Sequence, residues 1–312
     1  MPRDTQTLSV VLPVHDEAEG VVHVLETIVA AVRHVPEARW ELVVVDDGSS
    51  DATVERVGAM EPDGYALRLV VLTRNFGKEA AILAGLEHAR GDAVVVMDAD
   101  LQHPPELIPR MVELWRAGAQ VVEAVKENRG REGAVSGLGA RVFYALFSWL
   151  SGLEVANASD FKLLDREVVE HYCRLPERNR FFRGLIPWMG FTTARIPFSV
   201  PPRAHGRSSW GRWRLLRLAV SALTAFSSAP LHLVTALGVF VFLISAVFGS
   251  IALYQKFTGV AVSGFTTVIL LQLLIGSVLM VSLGIIGSYL ARVFEETKGR
   301  PPFILDRRRS RL

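Results

Sequence analysis

The chain has 312 residues, 34 Lys plus Arg against 32 Asp plus Glu, and 50% hydrophobic residues. A balance this close to neutral gives no overall field for nucleic acid, and a single cysteine, Cys173, excludes an internal disulfide framework and fits a reducing compartment. The size allows one large or two smaller units, and "MPRDTQ" running straight into an apolar strand leads us to expect no secretory leader.

The first half alternates apolar runs with stretches of helical period. Residues 8–14 (LSVVLPV), 41–45 (ELVVV), 67–72 (LRLVVL) and 93–97 (AVVVM) read as strands, and 19–33, 51–60 and 78–90 between them read as helices. Strands apolar on both faces and separated by helices predict a parallel sheet covered by helices, an α/β domain. Ligands of such sheets bind at the carboxyl ends of the strands, and each run is followed there by polar residues: "PVHDEAEG", "DDGSSDAT", "TRNFGKEAA" and "DADLQ". Ser49, Ser50 or Asp51 would cap the helix that follows them. Capping does not account for Asp46 and Asp47, nor for Asp98 together with Asp100. No G-x-G-x-x-G follows the first strand, which argues against a dinucleotide site.

Asp98 and Asp100 stand two apart where a buried strand ends. Two carboxylates so placed reach one cation from the same side, and hard oxygen donors suit Mg²⁺ or Mn²⁺, whose remaining ligands would include substrate phosphates.

The last third is different. No Asp, Glu, Lys or Arg occurs from Leu218 to Gln255, or from Phe257 to Ala291. Each stretch is long enough for a membrane-spanning helix, which needs about 20 apolar residues, and the expected spans are about Leu231–Tyr254 and Thr266–Tyr289. The segment "WGRWRLLRLAVSALTAF", within 210–228, reads as an interfacial amphipathic helix or as an extension of the first span. Arginines 203, 207, 212, 214 and 217 precede the pair, Arg292, Lys298, Arg300 and "DRRRSRL" follow it, and the connecting loop carries only Lys256. The positive-inside rule then puts both termini in the cytoplasm. The expected organisation is a soluble domain over 1–209, the interfacial segment over 210–228, the two spans within 229–291 and a basic cytoplasmic tail over 292–312.

Several stretches together are similar to family 2 glycosyltransferases of the GT-A fold: "SVVLPVHDEAEG", "VVVDDGSSDAT", "LTRNFGKEAAILAGLEHARGD", "VVVMDADLQHPPELIP", "ASDFKLLDREVV", "NRFFRGLIPWMGF", "RAHGRSSW" and "YLARVFEETKGRPPFIL". Within that family the chain most resembles the polyprenyl-phosphate branch, which includes dolichol-phosphate mannose synthases and bacterial undecaprenyl-phosphate glucosyltransferases. The paired spans resemble the glucosyltransferases.

The resemblance implies roles for particular residues. Pro13, Val14 and Glu17 would line the nucleotide base pocket, with Asp47 also on the base or ribose; Lys78 would lie near the nucleotide side, and Asp98 would also belong to the nucleotide site. Asp98, Asp100 and Gln102 would hold the divalent metal, and Asp100 and Asp160 would act at the transfer step. Arg129, Arg131, Arg203 and Ser208 would take the acceptor phosphate, where the guanidinium fork matches phosphate geometry. The sequence departs from the family at His15-Asp16-Glu17, where Tyr-Asn-Glu is usual, and at Ser209, where Lys is usual; Arg207 is the nearby replacement. These departures put one base contact and one phosphate contact in question.

The implied reaction moves a sugar from a nucleotide diphosphate to a polyprenyl phosphate with inversion. Glucose from UDP-glucose is the first expectation; GDP-mannose and UDP-N-acetylhexosamine are the alternatives. Because the acceptor phosphate is already anionic, Asp160 is expected to position groups rather than remove a proton. The resemblance also implies the bacterial inner membrane, a downstream flippase, and a homo-oligomer up to a tetramer. Gly284 and Gly287 are spaced poorly for a GxxxG contact, so the sequence alone does not set the assembly. A processive synthase would need more spans and a Gln-x-x-Arg-Trp motif, neither of which is found; a nucleotide-sugar-binding scaffold is the non-catalytic alternative.

Overall fold

A computed structural model describes residues 6–33, 35, 37–126, 158–178, 180–198, 229–258 and 264–312. In chain order the elements are β1 (Gln6–Val14), α1 (Val21–Val32), β2 (Ala38–Asp46), α2 (Thr53–Gly58), β3 (Tyr65–Val71), α3 (Lys78–His88), β4 (Ala93–Val96), α4 (Ile108–Arg116), β5 (Val121–Lys126), β6 (Ala158–Asp165), α5 (Arg166–Arg174), α6 (Phe182–Trp188), β7 (Thr193–Phe198), α7 (Ala229–Phe257) and α8 (Phe265–Thr297). By contacts the chain forms two units, one holding most of the first 208 residues plus Arg300–Leu312 and the other holding Ser209–Gly299.

The first unit is built on a seven-stranded sheet of order β3-β2-β1-β4-β6-β5-β7. The four strands expected from the apolar runs are β1 to β4, and β1 pairs in parallel with both β2 and β4. The chain runs outward from β1 to β3 and then returns to the other side of β1 as β4. That reversal opens a crevice at the carboxyl ends of β1 and β4, where ligands of open α/β sheets bind. Val10, Val11, Val43, Val44, Val94 and Val96 are fully buried, as a sheet covered on both faces requires. Helix α3 lies close on β1 and β2: a Cβ on Gly85 would come within 2.3 Å of the Val11 side chain.

Strand β6 runs antiparallel to both β4 and β5. It therefore begins where β4 ends. Val96 pairs with Lys162, and continuing that register two residues brings Asp160 opposite Asp98. Lys162 itself is fully buried and paired with Glu123 of β5.

The segment Arg300–Leu312, expected as a basic tail, lies along the outer edge of β3. Thr73 donates to the Ile304 carbonyl at 2.9 Å, Asp306 to Val71 at 2.8 Å, and Leu69 and Arg311 exchange hydrogen bonds of 2.9 and 2.7 Å. It satisfies backbone groups that an uncovered edge strand would leave open to pairing with another chain.

In the second unit, α7 and α8 pack on one another and extend beyond the expected spans, to Phe257 and Thr297. Both are long and apolar enough to cross a membrane, over Val234–Ile251 and Leu274–Thr297, and none of either window is buried. Phe242, Leu243 and Met280 are more than half exposed. Core helices of a soluble bundle bury such side chains. The expected interfacial segment, 210–228, lies outside the described residues.

Candidate active site

The loops after β1, β2, β3 and β4 meet at the crevice. Those after β1 and β2 are stitched together: Asp16 N–H donates to Ser49 Oγ at 2.9 Å, Glu17 N–H to Thr53 Oγ1 at 3.0 Å and Ala18 N–H to Asp51 Oδ2 at 3.0 Å. In return, Ser50 N–H donates to Asp16 Oδ1 at 2.8 Å. Asp16 is left-handed at φ 52°, a conformation a non-glycine residue holds only where its surroundings enforce it.

The adjacent aspartates after β2 serve the loops. Asp46 accepts the Ser49 N–H at 3.0 Å, closing a turn. Asp47 is 5% exposed, and its two oxygens accept the N–H groups of Phe76 and Gly77 at 2.7 and 2.9 Å. It clamps the β3–α3 loop and thereby sets where α3 begins, at Lys78. Directly after Asp47 the chain turns at Gly48, φ +69°, where a Cβ would lie 2.3 Å from the Arg74 carbonyl carbon. Gly48→Ala is expected to lower stability by at least about 2 kcal/mol from left-handed strain and the backbone clash together. Gly77→Ala, also at positive φ but with nothing within 4 Å of its Cβ, should lose less in the same thermal unfolding experiment; equal losses would mean the Arg74 contact relaxes freely.

At the end of β4 the chain leaves the sheet through Asp98, Asp100 and Gln102. Leu101 between them is left-handed at φ 53°, and the Gln102 N–H donates to Asp100 Oδ1 at 3.0 Å. His103 anchors the loop from below. It is 3% exposed, stacked on Phe161 with ring centres 5.3 Å apart, and its Nδ1 accepts the Asp98 N–H at 3.3 Å. Burial pushes its pKa below the ordinary histidine value, which keeps the ring neutral and Nδ1 able to accept.

Asp160 is the hub. It is 4% exposed, and Arg183 of α6 grips both its oxygens, through Nε at 2.6 Å and Nη2 at 2.7 Å. Lys78 Nζ lies 2.5 Å from Asp160 Oδ2 and 2.5 Å from Asp98 Oδ1. Burial alone would raise the Asp160 carboxyl, but Arg183 and Lys78 together hold it well below the usual carboxylate range. Burial works against the Lys78 charge, and Asp98 and Asp160 outweigh it and hold its pKa above the ordinary lysine value. Glu17 is exposed as a residue, but its carboxyl is partly desolvated, and that, then the Asp100 charge, raises it. Asp98, Asp100 and Gln102, the residues expected to hold a divalent cation, stand together on the loop after β4, and hard oxygen donors of this kind suit Mg²⁺ or Mn²⁺. Among the described residues no group of three or more His, Cys, Asp or Glu is placed to ligate a metal, so the remaining ligands would come from substrate and water.

The glycosyl transferase family 2 model matches residues 9–173, which contain all four loops and Asp160. The chain belongs to glycosyl transferase family 2. Among its relatives, the bactoprenol glucosyl transferase of Shigella phage SfX is 36% identical over 97% of this chain and 99% of its own length. The prophage bactoprenol glucosyl transferase homolog of Escherichia coli K12 is 35% identical over 96% and 98%. In fold, mannosyl-3-phosphoglycerate synthase from Rubrobacter xylanophilus matches with a TM-score of 0.52 at 22% identity, over 70% of this chain and 73% of that one.

In this glycosyltransferase, Lys78, Asp98 and Asp160 are brought into direct contact, with Asp100 and Gln102 on the same loop as Asp98. Val14 is buried under the mouth, Pro13 is half-buried beside it and Glu17 is exposed. Asp47, expected on the base or ribose, has both oxygens taken by backbone N–H groups. Arg129, Arg131, Arg203 and Ser208, with Arg207 and Ser209, lie outside the described residues.

Sequence reasoning gave no role to Arg183, Glu79 or His103, although each lies in a stretch that carried the resemblance. Arg183 had a visible signal, since it is the one charged residue in the apolar helix FRGLIPW. His103 had none: a histidine five residues after Asp98 reads as loop until its ring is seen between Phe161 and Phe198.

Proposed function

We propose that this glycosyltransferase transfers a hexose, glucose first, from a nucleotide diphosphate donor to a polyprenyl phosphate at the cytoplasmic face of a bacterial inner membrane, with inversion at the anomeric carbon. The observation that carries the reading is the match to bactoprenol glucosyl transferases along nearly the whole of both chains, so that it takes in the paired apolar helices as well as the sheet unit. An acceptor whose tail stays in the bilayer needs an enzyme held at the headgroups. The arginines flanking the helix pair, against a lone lysine between the helices, support cytoplasmic termini. No Asp, Glu, Lys or Arg lies within Leu231–Tyr254 or Thr266–Tyr289 to line a polar path, and a separate flippase would move the product. Association into a homo-oligomer through these helices belongs to the same proposal.

The donor diphosphate would lie over the β4 loop, with Glu17 and the Val14 end of β1 toward the nucleoside. A divalent cation bound by Asp98, Asp100 and Gln102 would supply Lewis-acid stabilisation of the departing diphosphate. Lys78, held by Asp98 and Asp160, would add a second positive charge toward that diphosphate. The acceptor phosphate is its own nucleophile, so the chain has to orient it and exclude water rather than activate it. Asp160, already saturated by Arg183 and Lys78, orders those cations and takes no proton. Arg129, Arg131, Arg203 and Ser208 are proposed for the acceptor phosphate on the resemblance alone.

The test is a donor panel on purified full-length protein in detergent, with undecaprenyl phosphate and labelled UDP-glucose, UDP-N-acetylglucosamine or GDP-mannose, each with Mg²⁺, Mn²⁺ or chelator. The expected result is labelled lipid from UDP-glucose, lost with chelator. Product from another donor corrects the sugar. Folded protein that binds nucleotide and makes no lipid with any donor favours the nucleotide-sugar-binding scaffold.

A further inference from the structure

The two cations on Asp160 come from helices far apart in sequence. Lys78 opens α3 and Arg183 is the second residue of α6. Their chain neighbours are joined directly: the Glu79 carboxylate accepts the Phe182 N–H at 2.9 Å across 103 residues. That N–H belongs to the first turn of α6, where backbone donors have no intrahelical partner, and the N-cap residue, Phe181, has a side chain that cannot accept it. The result is a closed circuit. Glu79 ties α3 to α6 through the backbone, and Lys78 and Arg183 tie the same two helices through Asp160 on β6.

We propose that Glu79 is a positioning residue of the transfer step, fixing the first turn of α6 so that Arg183 and Lys78 converge on Asp160. The inference rests on the proposed transfer reaction for its kinetic reading. The location of α6 does not depend on Glu79, because the Phe182 side chain is fully buried and meets Tyr172 edge-on with ring centres 5.6 Å apart. What Glu79 adds is the setting of the first turn, on which the direction of the Arg183 fork depends. A guanidinium that must meet both oxygens of one carboxylate tolerates little rotation. Burial raises the Glu79 carboxyl to about 7, but accepting an N–H needs an oxygen rather than a charge, so a glutamine can hold the same bond.

The experiment compares full-length wild type, E79Q, E79A, R183A and E79A/R183A in the UDP-glucose and undecaprenyl phosphate assay. UDP affinity is measured by calorimetry and hydrogen exchange of the α6 first turn by mass spectrometry. E79A should lower kcat by about 10- to 100-fold, the scale of a small misplacement of site groups, while UDP affinity stays within about twofold. E79Q should restore most of the rate, and E79A should add little in the R183A background because both act through one group. Exchange at the start of α6 should speed up in E79A and not in E79Q. Wild-type turnover by E79A, equal failure of E79Q and E79A, or multiplying effects of E79A and R183A would each overturn the assignment. If wild type itself makes no lipid product, the proposed function fails, and the exchange comparison still decides the clamp: unchanged exchange in E79A overturns it without any turnover.

Discussion

Asp100→Asn is expected to lower sugar transfer by about 10²- to 10³-fold, the scale seen when one preorganised charge is removed from a transition state. The substitution is informative because it leaves the loop intact. The Asp100 side chain accepts the Gln102 N–H at 3.0 Å, and the oxygen of an asparagine accepts the same bond while Leu101 keeps its left-handed turn. What changes is one negative charge, the one that also helps to raise the neighbouring Glu17 carboxyl. The loss should appear in kcat together with weakened Mn²⁺ binding, read independently by electron paramagnetic resonance on the protein without donor. Chelator should bring wild type to the same level. An Asp100→Asn protein that binds Mn²⁺ as tightly as wild type, or retains more than about a tenth of its rate, would remove Asp100 from the ligand set.

Asp160→Asn is expected to lower kcat by about 10²-fold with the donor KM little changed, as loss of orientation does when uniform binding is kept. An amide of the same shape offers a single oxygen to Arg183 and Lys78, which now share a carboxylate at 2.5 to 2.7 Å. Stability should also fall, by roughly 2 kcal/mol, because charge-assisted hydrogen bonds are lost while both cations remain part-exposed and screened. The pH dependence has a definite sign. The folded Asp160 carboxyl is held below its ordinary value of 3.8, so its contribution is complete above that value and is lost as pH falls further. Wild type should therefore show an acid-destabilisation limb below about pH 4 that Asp160→Asn lacks. For catalysis, a general base would give a rate that falls as Asp160 protonates. A carboxylate this strongly paired gives no limb of its own between about pH 5 and 9. A wild-type limb in that range that vanishes in Asp160→Asn would return Asp160 to the role of base.

Much of the site was legible in the chain because its determinants are local. A parallel strand buried on both faces has to be an unbroken apolar run, so β1 to β4 declared themselves, and polar residues crowding the ends of such runs mark the carboxyl edge of the sheet. Asp98 and Asp100 fall there by spacing alone. The paired apolar helices were equally readable, since a bilayer demands length and freedom from charge within one segment.

What the tertiary structure decided depends on groups brought together over long separations. Nothing near Asp160 in the sequence says that β6 runs antiparallel and starts beside the end of β4, yet that register puts Asp160 opposite Asp98. Lys78, Asp160 and Arg183 span more than a hundred residues, and only the crossing of α3, β6 and α6 makes them one electrostatic unit. Asp47 is another case. Nothing beside it in the sequence shows that the β3–α3 loop brings the Phe76 and Gly77 N–H groups to its two oxygens, donors that a buried carboxylate needs. The stretch 292–312 read as a basic tail because the partner of its last part, the open edge of β3, lies some 230 residues earlier; its first residues continue α8 to Thr297. Sequence determined which residue types stand at the mouth of the sheet; the three-dimensional packing determined which of them face the reacting groups and which hold the loops that do.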